Sequence, residues 1–309
     1  MNKIKAPVLF LVFNRPEKTL KVWEQISKAK PSKLYISADG AREMHPEDME
    51  KCQMVRDIVS HVDWDCDVNY LFHDTNQGCS LAGKKAFDWI FEREDRMIEL
   101  EDDTIPSLSF FDYMNEILEK YKDCDNIGYV TGQNFMGIQS GSASYFFSHY
   151  GGSSGWGTWK RVYDQWDFKL SHLKVKAYTQ SFKNNFDSRF EYLFWLRKFE
   201  SYYKNGGNTY DLQSVFLIFE KNLLNIIPNK NLITNIGFDN EGTNYSGGEN
   251  LFADKPRFDL EEIIHPSEIK RSPKVDKAIF EYHFLSKSRI GYMLRWTLGP
   301  YIRKIFPKK

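Results

Sequence analysis

Val8-Leu9-Phe10-Leu11-Val12-Phe13-Asn14-Arg15-Pro16 sets six apolar residues in a row against a polar break and a proline. An apolar run this short, ended by a turn signal, predicts a strand covered on both faces. Strands of that kind occupy sheets with helices packed on either side. Pro16 has a fixed φ that suits the first turn of a helix, so a helix from residue 16 to about 29 follows at once.

The same alternation continues through the first hundred residues. Pro31-Ser32 breaks the helix, and a strand over 33–38 ends at Asp39-Gly40. A helix over about 46–60 and a strand over 68–72 come next. Asn76-Gln77-Gly78 makes a turn before a helix over 80–91, and a strand over 96–100 runs straight into Glu101-Asp102-Asp103. Strands alternating with helices of this length predict βαβ units around a mostly parallel central sheet flanked by helices, an α/β fold of the Rossmann-like kind. Beyond this the alternation weakens. A helix over 107–121 with Ser107 as N-cap and strands over 127–131 and 144–148 are expected. The glycine-rich stretch Gly151-Gly152-Ser153-Ser154-Gly155-Trp156-Gly157 reads as a turn leading into helical sequence. No repeat or linker interrupts the chain before about 284, so one catalytic domain over 1–285 and a C-terminal segment over 286–309 are expected.

Composition narrows the function. With 41% hydrophobic and 27% charged residues the chain is an ordinary globular protein. Its 17 Tyr, 24 Phe and 8 Trp suit stacking on sugars and bases, but filling a core is the commoner use of such rings. Seven Lys or Arg and no acid lie between 287 and 309, so the neutral total hides a body acidic by seven charges. An acidic body argues against nucleic acid as a partner. Cys52, Cys66, Cys79 and Cys124 form no C-x-x-C pair and read as reduced thiols of a cytoplasmic protein. The run over 8–13 is too short for a signal peptide or a membrane span.

Ligands of open α/β sheets bind beyond the carboxyl ends of the strands. Four successive strands end there in Asn14-Arg15-Pro16, Asp39-Gly40, His73-Asp74 and Glu101-Asp102-Asp103. Three adjacent acids repel one another unless a cation or hydroxyl donors satisfy them, and hard oxygen ligands suit Mg²⁺ or Mn²⁺ bridging a substrate phosphate. A solvated acidic loop is the plain alternative; the position after a βαβαβ run favours the metal. The first βα turn holds no G-x-G-x-x-G, and no P-loop, G-x-S-x-G or H-E-x-x-H occurs. The seven histidines are scattered without ligand spacing.

At these residues the chain resembles a known family. The segment 7–16 looks like the opening strand of the N-acetylglucosaminyltransferase I family, and still more like that of bacterial sugar transferases of the GT-A superfamily. Ser37-Ala38-Asp39-Gly40 resembles the motif whose Asp contacts uracil, and Glu101-Asp102-Asp103 resembles the D-x-D motif. Gly155-Trp156-Gly157-Thr158-Trp159-Lys160 resembles the Gly-Trp segment that follows the donor site. The likeness runs over about 5–245. It implies that Asp103 binds the metal, that Glu101 and Asp102 face ribose or donor-sugar hydroxyls, and that Asp39 reads the base with Arg15 and Asn14 along the nucleotide. It implies further that Gly155, Trp156 and Tyr210 border the acceptor and that Asp211 is the catalytic base. The residues alone also allow Asp211 to be a helix N-cap. Tyr210 stands in place of the family's tryptophan, Ser214 in place of another, and Asn244 in place of a metal-binding histidine.

The implied activity is a metal-dependent, inverting hexosyl- or N-acetylhexosaminyltransferase. It would pass a sugar from a UDP-sugar to a glycan or lipid-linked acceptor in bacterial surface polysaccharide assembly. A sugar-phosphate nucleotidyltransferase and a non-catalytic nucleotide-sugar binding module are the alternatives. Ile290, Met293, Leu294 and Leu298 recur at helical spacing among the tail's cations. That pattern suits either an anionic membrane surface, making the enzyme peripheral on the inner face, or docking on the acidic body.

Overall fold

The computed structural model describes residues 3–207, 209–238 and 253–285. β1 (Val8–Val12) leads into α1 (Pro16–Ala29), β2 (Lys33–Ala38) into α2 (Glu47–Ser60), and β3 (Asp67–Phe72) into α3 (Cys79–Phe91). β4 (Arg96–Glu101) and the short β5 (Thr104–Pro106) precede α4 (Leu108–Lys120). Next come β6 (Ile127–Thr131), β7 (Tyr145–Ser148) and β8 (Trp156–Trp159), followed by the single-turn helices α5 (Lys160–Tyr163), α6 (Leu173–Lys176) and α7 (Gln180–Lys183). The longer α8 (Arg189–Asn205) and α9 (Asp211–Lys221) lead to β9 (Leu224–Pro228) and β10 (Ile233–Asn235), and α10 (Pro273–Leu285) is the last described helix. Asn244 and the basic segment 286–309 lie outside the described residues. Among those described, no helix is long and apolar enough to cross a membrane.

The large sheet has the order β3-β2-β1-β4-β8-β6-β9-β7, and β10 pairs with β5 separately. Six strands run one way; β8 and β7 run against them. The expected mostly parallel α/β sheet is present, and α1 begins at Pro16 as its fixed φ dictates. Two local expectations are corrected. Trp156 and Gly157, read as part of a turn, lie in β8 between β4 and β6. A Cβ on Gly157 would sit 2.8 Å from the Met97 carbonyl oxygen, so the glycine is there to let two strands close. Ser107 holds the N-cap position of α4, but its hydroxyl lies 3.2 Å from that of Ser109 and no side chain caps the helix.

Strand alternation decides what each face of β4 carries. Leu100 is in register with Phe10, which stacks on Trp23 of α1 at 6.3 Å. Glu99 and Glu101 are in register with Leu9 and Leu11 and project to the other side, where Tyr210 meets Glu101 and packs edge-on against Phe87 of α3. Two apolar clusters hold the molecule. One spans the sheet with α1 to α4; the other lies beneath α6 to α10 and is built mainly from rings such as Phe182, Phe199, Phe216 and Phe219. Most of the chain's aromatic excess therefore fills core, as its bulk favours. Buried Asp276 ties α10 down by accepting from Ser148 Oγ at 2.5 Å and Arg271 Nη1 at 3.1 Å.

Candidate active site

A cavity of about 540 Å³ opens at the carboxyl ends of β1, β2 and β4, where the topology directs ligands. Arg15, Asp39, Glu101, Asp102 and Asp103 all line it. Arg15 follows β1 directly and crosses to the acidic triplet. It donates from Nε to Asp102 Oδ2 at 3.2 Å, from Nη2 to Asp102 Oδ1, and from Nη1 to Asp103 Oδ2 at 2.8 Å. Burial pulls the guanidinium's pKa down, but Asp102, Asp103 and Glu101 more than offset it, so Arg15 stays charged. Asp102 is buried, and burial raises its pKa to about 6 against the pull of Arg15.

Asp103, the carboxylate expected to bind a metal, is buried and closely packed. A Cβ on Gly237 would lie 2.0 Å from Asp103 Oδ2, so only a glycine there lets the chain pass over that oxygen. The oxygen already faces a positive charge, that of Arg15. Among the described residues no group of three His, Cys, Asp or Glu side chains forms a complete ligand set.

Asp39 is held in place by its own chain. It accepts from the amides of Gly40 and Gln77 at 2.8 Å each, from Gly78 at 3.1 Å and from Asn76 Nδ2 at 3.0 Å. Its carboxylate organises the wall between β2 and α3 while still bordering the cavity. Asn14 is not brought to the cavity; its amide reaches Asp48 at 2.6 Å, and Arg42, on the same carboxylate, lines the cavity instead.

A second cavity, of about 620 Å³, shares Ser153, Ser154, Tyr210 and Phe238 with the first. Its rings include Tyr129, Trp156, Trp166, Trp195 and Tyr202, with Trp156 and Trp166 stacked at 5.9 Å and 11°. Asp211 borders it as the first residue of α9. Tyr210, not Asp211, holds the N-cap position, so capping does not account for the aspartate. Burial raises the Asp211 pKa, and a hydrogen bond from Ser153 offsets part of the rise. Tyr210 Oη donates to Glu101 Oε1 at 2.8 Å across the boundary between the cavities. Gly155 lines neither; with φ of 62° it turns the chain into β8.

No family model matches the chain, and no curated protein matches it. Among solved structures it is similar to HddC from Yersinia pseudotuberculosis, at 12% identity and a TM-score of 0.31 over 54% of this chain and 85% of that one. HddC complexed with GMP-PN gives the same identity and score over 55% of this chain and 85% of that one. Likeness at this level carries no argument about fold or activity.

One buried acid escaped the sequence reading. Glu99 lies inside β4, wholly buried. Burial raises its pKa well above the usual range, and the charges of Glu101 and Asp211 add to the rise. Burial likewise lifts Glu101, with Asp103 next in effect. The signal was a lone acid in an apolar strand, Met97-Ile98-Glu99-Leu100. The aromatic wall gave no local signal because its rings are spread from Tyr129 to Phe284.

Proposed function

We propose that the chain is a metal-dependent, inverting glycosyltransferase of the GT-A kind that moves a hexosyl or N-acetylhexosaminyl group from a UDP-sugar to a glycan or lipid-linked hydroxyl. One observation carries the reading: a cavity of charged strand ends and a cavity of rings share a wall, with Glu101 and Asp211 on its two sides. A transfer between two bound molecules needs this kind of adjacency, because holding both reactants in place removes the entropy cost of their meeting. Asp103 would hold Mn²⁺ or Mg²⁺, which supplies charge to the leaving diphosphate. Arg15 lies beside the same carboxylates and can hold phosphate oxygens as a planar fork. Glu101, fixed by Tyr210, faces the donor sugar. Asp211 takes the proton from the acceptor hydroxyl, and its raised pKa makes it a stronger base than an ordinary aspartate. Cytoplasmic surface polysaccharide assembly, with the 286–309 segment against an anionic membrane face, is the setting this chemistry suits.

The test is calorimetric titration of the full chain with UDP, with and without Mn²⁺, alongside UDP release from a panel of UDP-sugars. Metal-dependent UDP binding is expected. A folded protein that binds no UDP in the presence of Mn²⁺ sinks the proposal.

A further inference from the structure

The cavity of charged strand ends holds a second arginine besides Arg15. Arg42 lies in the loop after β2 and lines the cavity together with Phe13, Ser37 and Asp39. Asp48, in the first turn of α2 and fully buried, accepts from Arg42 Nε at 2.6 Å and from Nη2 at 3.0 Å, a two-point contact that fixes the plane of the guanidinium. The same carboxylate takes the Arg42 amide at 3.2 Å and Asn14 Nδ2 at 2.6 Å. The guanidinium lies 5.5 Å from the centroid of the Phe13 ring. It has more N–H groups than the two that Asp48 engages. Arg42 belongs to the β2 end of the cavity, whereas Asp103 follows β4, and β1 runs between those strands. Neighbouring strands lie about 4.8 Å apart, so the two ends are separated by about 10 Å. Asp39 borders the β2 end as well, but each of its oxygens already accepts two donors from its own chain. At that end Arg42 is the charged group with donors to spare.

We infer that Arg42 reads the base of the donor nucleotide by donating to the O4 carbonyl of uracil, and that Asp48 positions it to do so. This rests on the nucleotide-sugar reading, which supplies the base: with the diphosphate at Asp103, the ribose spans the distance to the β2 end. A guanidinium donates and cannot accept. It therefore suits a base whose edge carries an acceptor, as uracil does, and opposes cytosine, which presents an amino donor at the same position. A hydrogen bond from a charged group contributes about tenfold in affinity or more, and a donor set against a donor forfeits it.

UDP and CDP differ at this base edge and share their ribose and diphosphate, so they form a matched pair. Each is titrated by calorimetry into the full chain with Mn²⁺, beside inorganic pyrophosphate as the ligand without a base. UDP is expected to bind about tenfold tighter than CDP. Arg42→Met should bring UDP down to the affinity of CDP while CDP and pyrophosphate bind as before. Arg42→Lys should do the same, because an ammonium cannot reproduce the two-point contact with Asp48. If Arg42→Met does not fold once buried Asp48 has lost its cation, Arg42→Met combined with Asp48→Asn carries the same test. Equal affinities for UDP and CDP in the wild type overturn the inference, as does a preference that survives in folded Arg42→Met. An equal loss for UDP, CDP and pyrophosphate in that variant also overturns it, since the guanidinium then holds phosphate. UDP binding without a base preference spares the transferase reading, and no UDP binding at all removes both.

Discussion

The cavity at the ends of β1, β2 and β4 and the cavity beside α8 and α9 share a wall that includes Tyr210, yet they are assembled on opposite plans. The first draws its charged groups from strand ends that a parallel sheet brings into line, and neighbours in space there are often neighbours in sequence, as in Glu101-Asp102-Asp103. The second gathers rings from β6, β8, α8 and the end of α10, which meet only when the whole second half of the chain has packed. Each plan suits the ligand proposed for it. A diphosphate needs a fixed array of charge, which rigid strand ends supply, whereas a sugar needs broad apolar faces whose residues can be exchanged to suit the acceptor.

The largest effect expected from this division is at Asp103. Asp103→Ala should abolish Mn²⁺-dependent UDP binding while tryptophan quenching by glycosides stays as in the wild type. Equal UDP–Mn²⁺ affinity in the variant moves the metal elsewhere, and loss of both ligands means the cavities are one site. Next is Asp211→Asn, which should lower kcat by about 10²–10⁴-fold with donor Kd and Tm nearly unchanged. Normal turnover in that variant assigns the base to another carboxylate or the reaction to a retaining course.

The smallest effect concerns Glu99, on the sheet beneath both cavities. A carboxyl whose folded pKa is raised stabilises the fold fully below its ordinary value of 4.5, and that contribution is lost as pH rises through the folded value. Glu99→Gln keeps the neutral shape at every pH. Its Tm should match the wild type near pH 4.5 and exceed it at pH 8 by about 2–4 °C, the shift for each ~1 kcal/mol. An identical pH dependence of Tm in the two proteins removes Glu99 from the acid cluster.

The same division decides what could be read in the sequence. β1 was legible because both its faces are buried, so it is an unbroken apolar run closed by a polar turn and a proline, and β2 to β4 followed from the alternation it began. β2 and β6 fall on the bounds expected of them. β8 was not legible: four residues alternating Trp with Gly and Thr look like a turn until a neighbour on each side supplies its hydrogen bonds. The acidic triplet was legible as a site, but not the ion pairs that hold Arg15 across it, since 86 residues separate Arg15 from Asp102. Asp39 was legible as a strand-end acid; that four donors from its own chain occupy it depends on the turn at 76–78, which no local pattern ties to it.

The place of β8 between β4 and β6 has a consequence in time. The four strands on one side of it join through crossovers within the first hundred residues, but β4 meets β8 only after a loop of 54 residues has closed, and β6 meets β9 across a longer one. Non-local pairings of this kind form late, because the entropy of closing the loop is lost before the contacts repay it. The β1–β4 half should therefore gain protection first during refolding, with its unpaired β4 edge open until Trp156–Trp159 docks. Pulse-labelled amide exchange reads this order directly, and simultaneous protection of β1 and β6 would refute it. A nascent chain stalled in that interval carries a bare strand edge beside three acids, and their mutual repulsion keeps a second copy from adding to it.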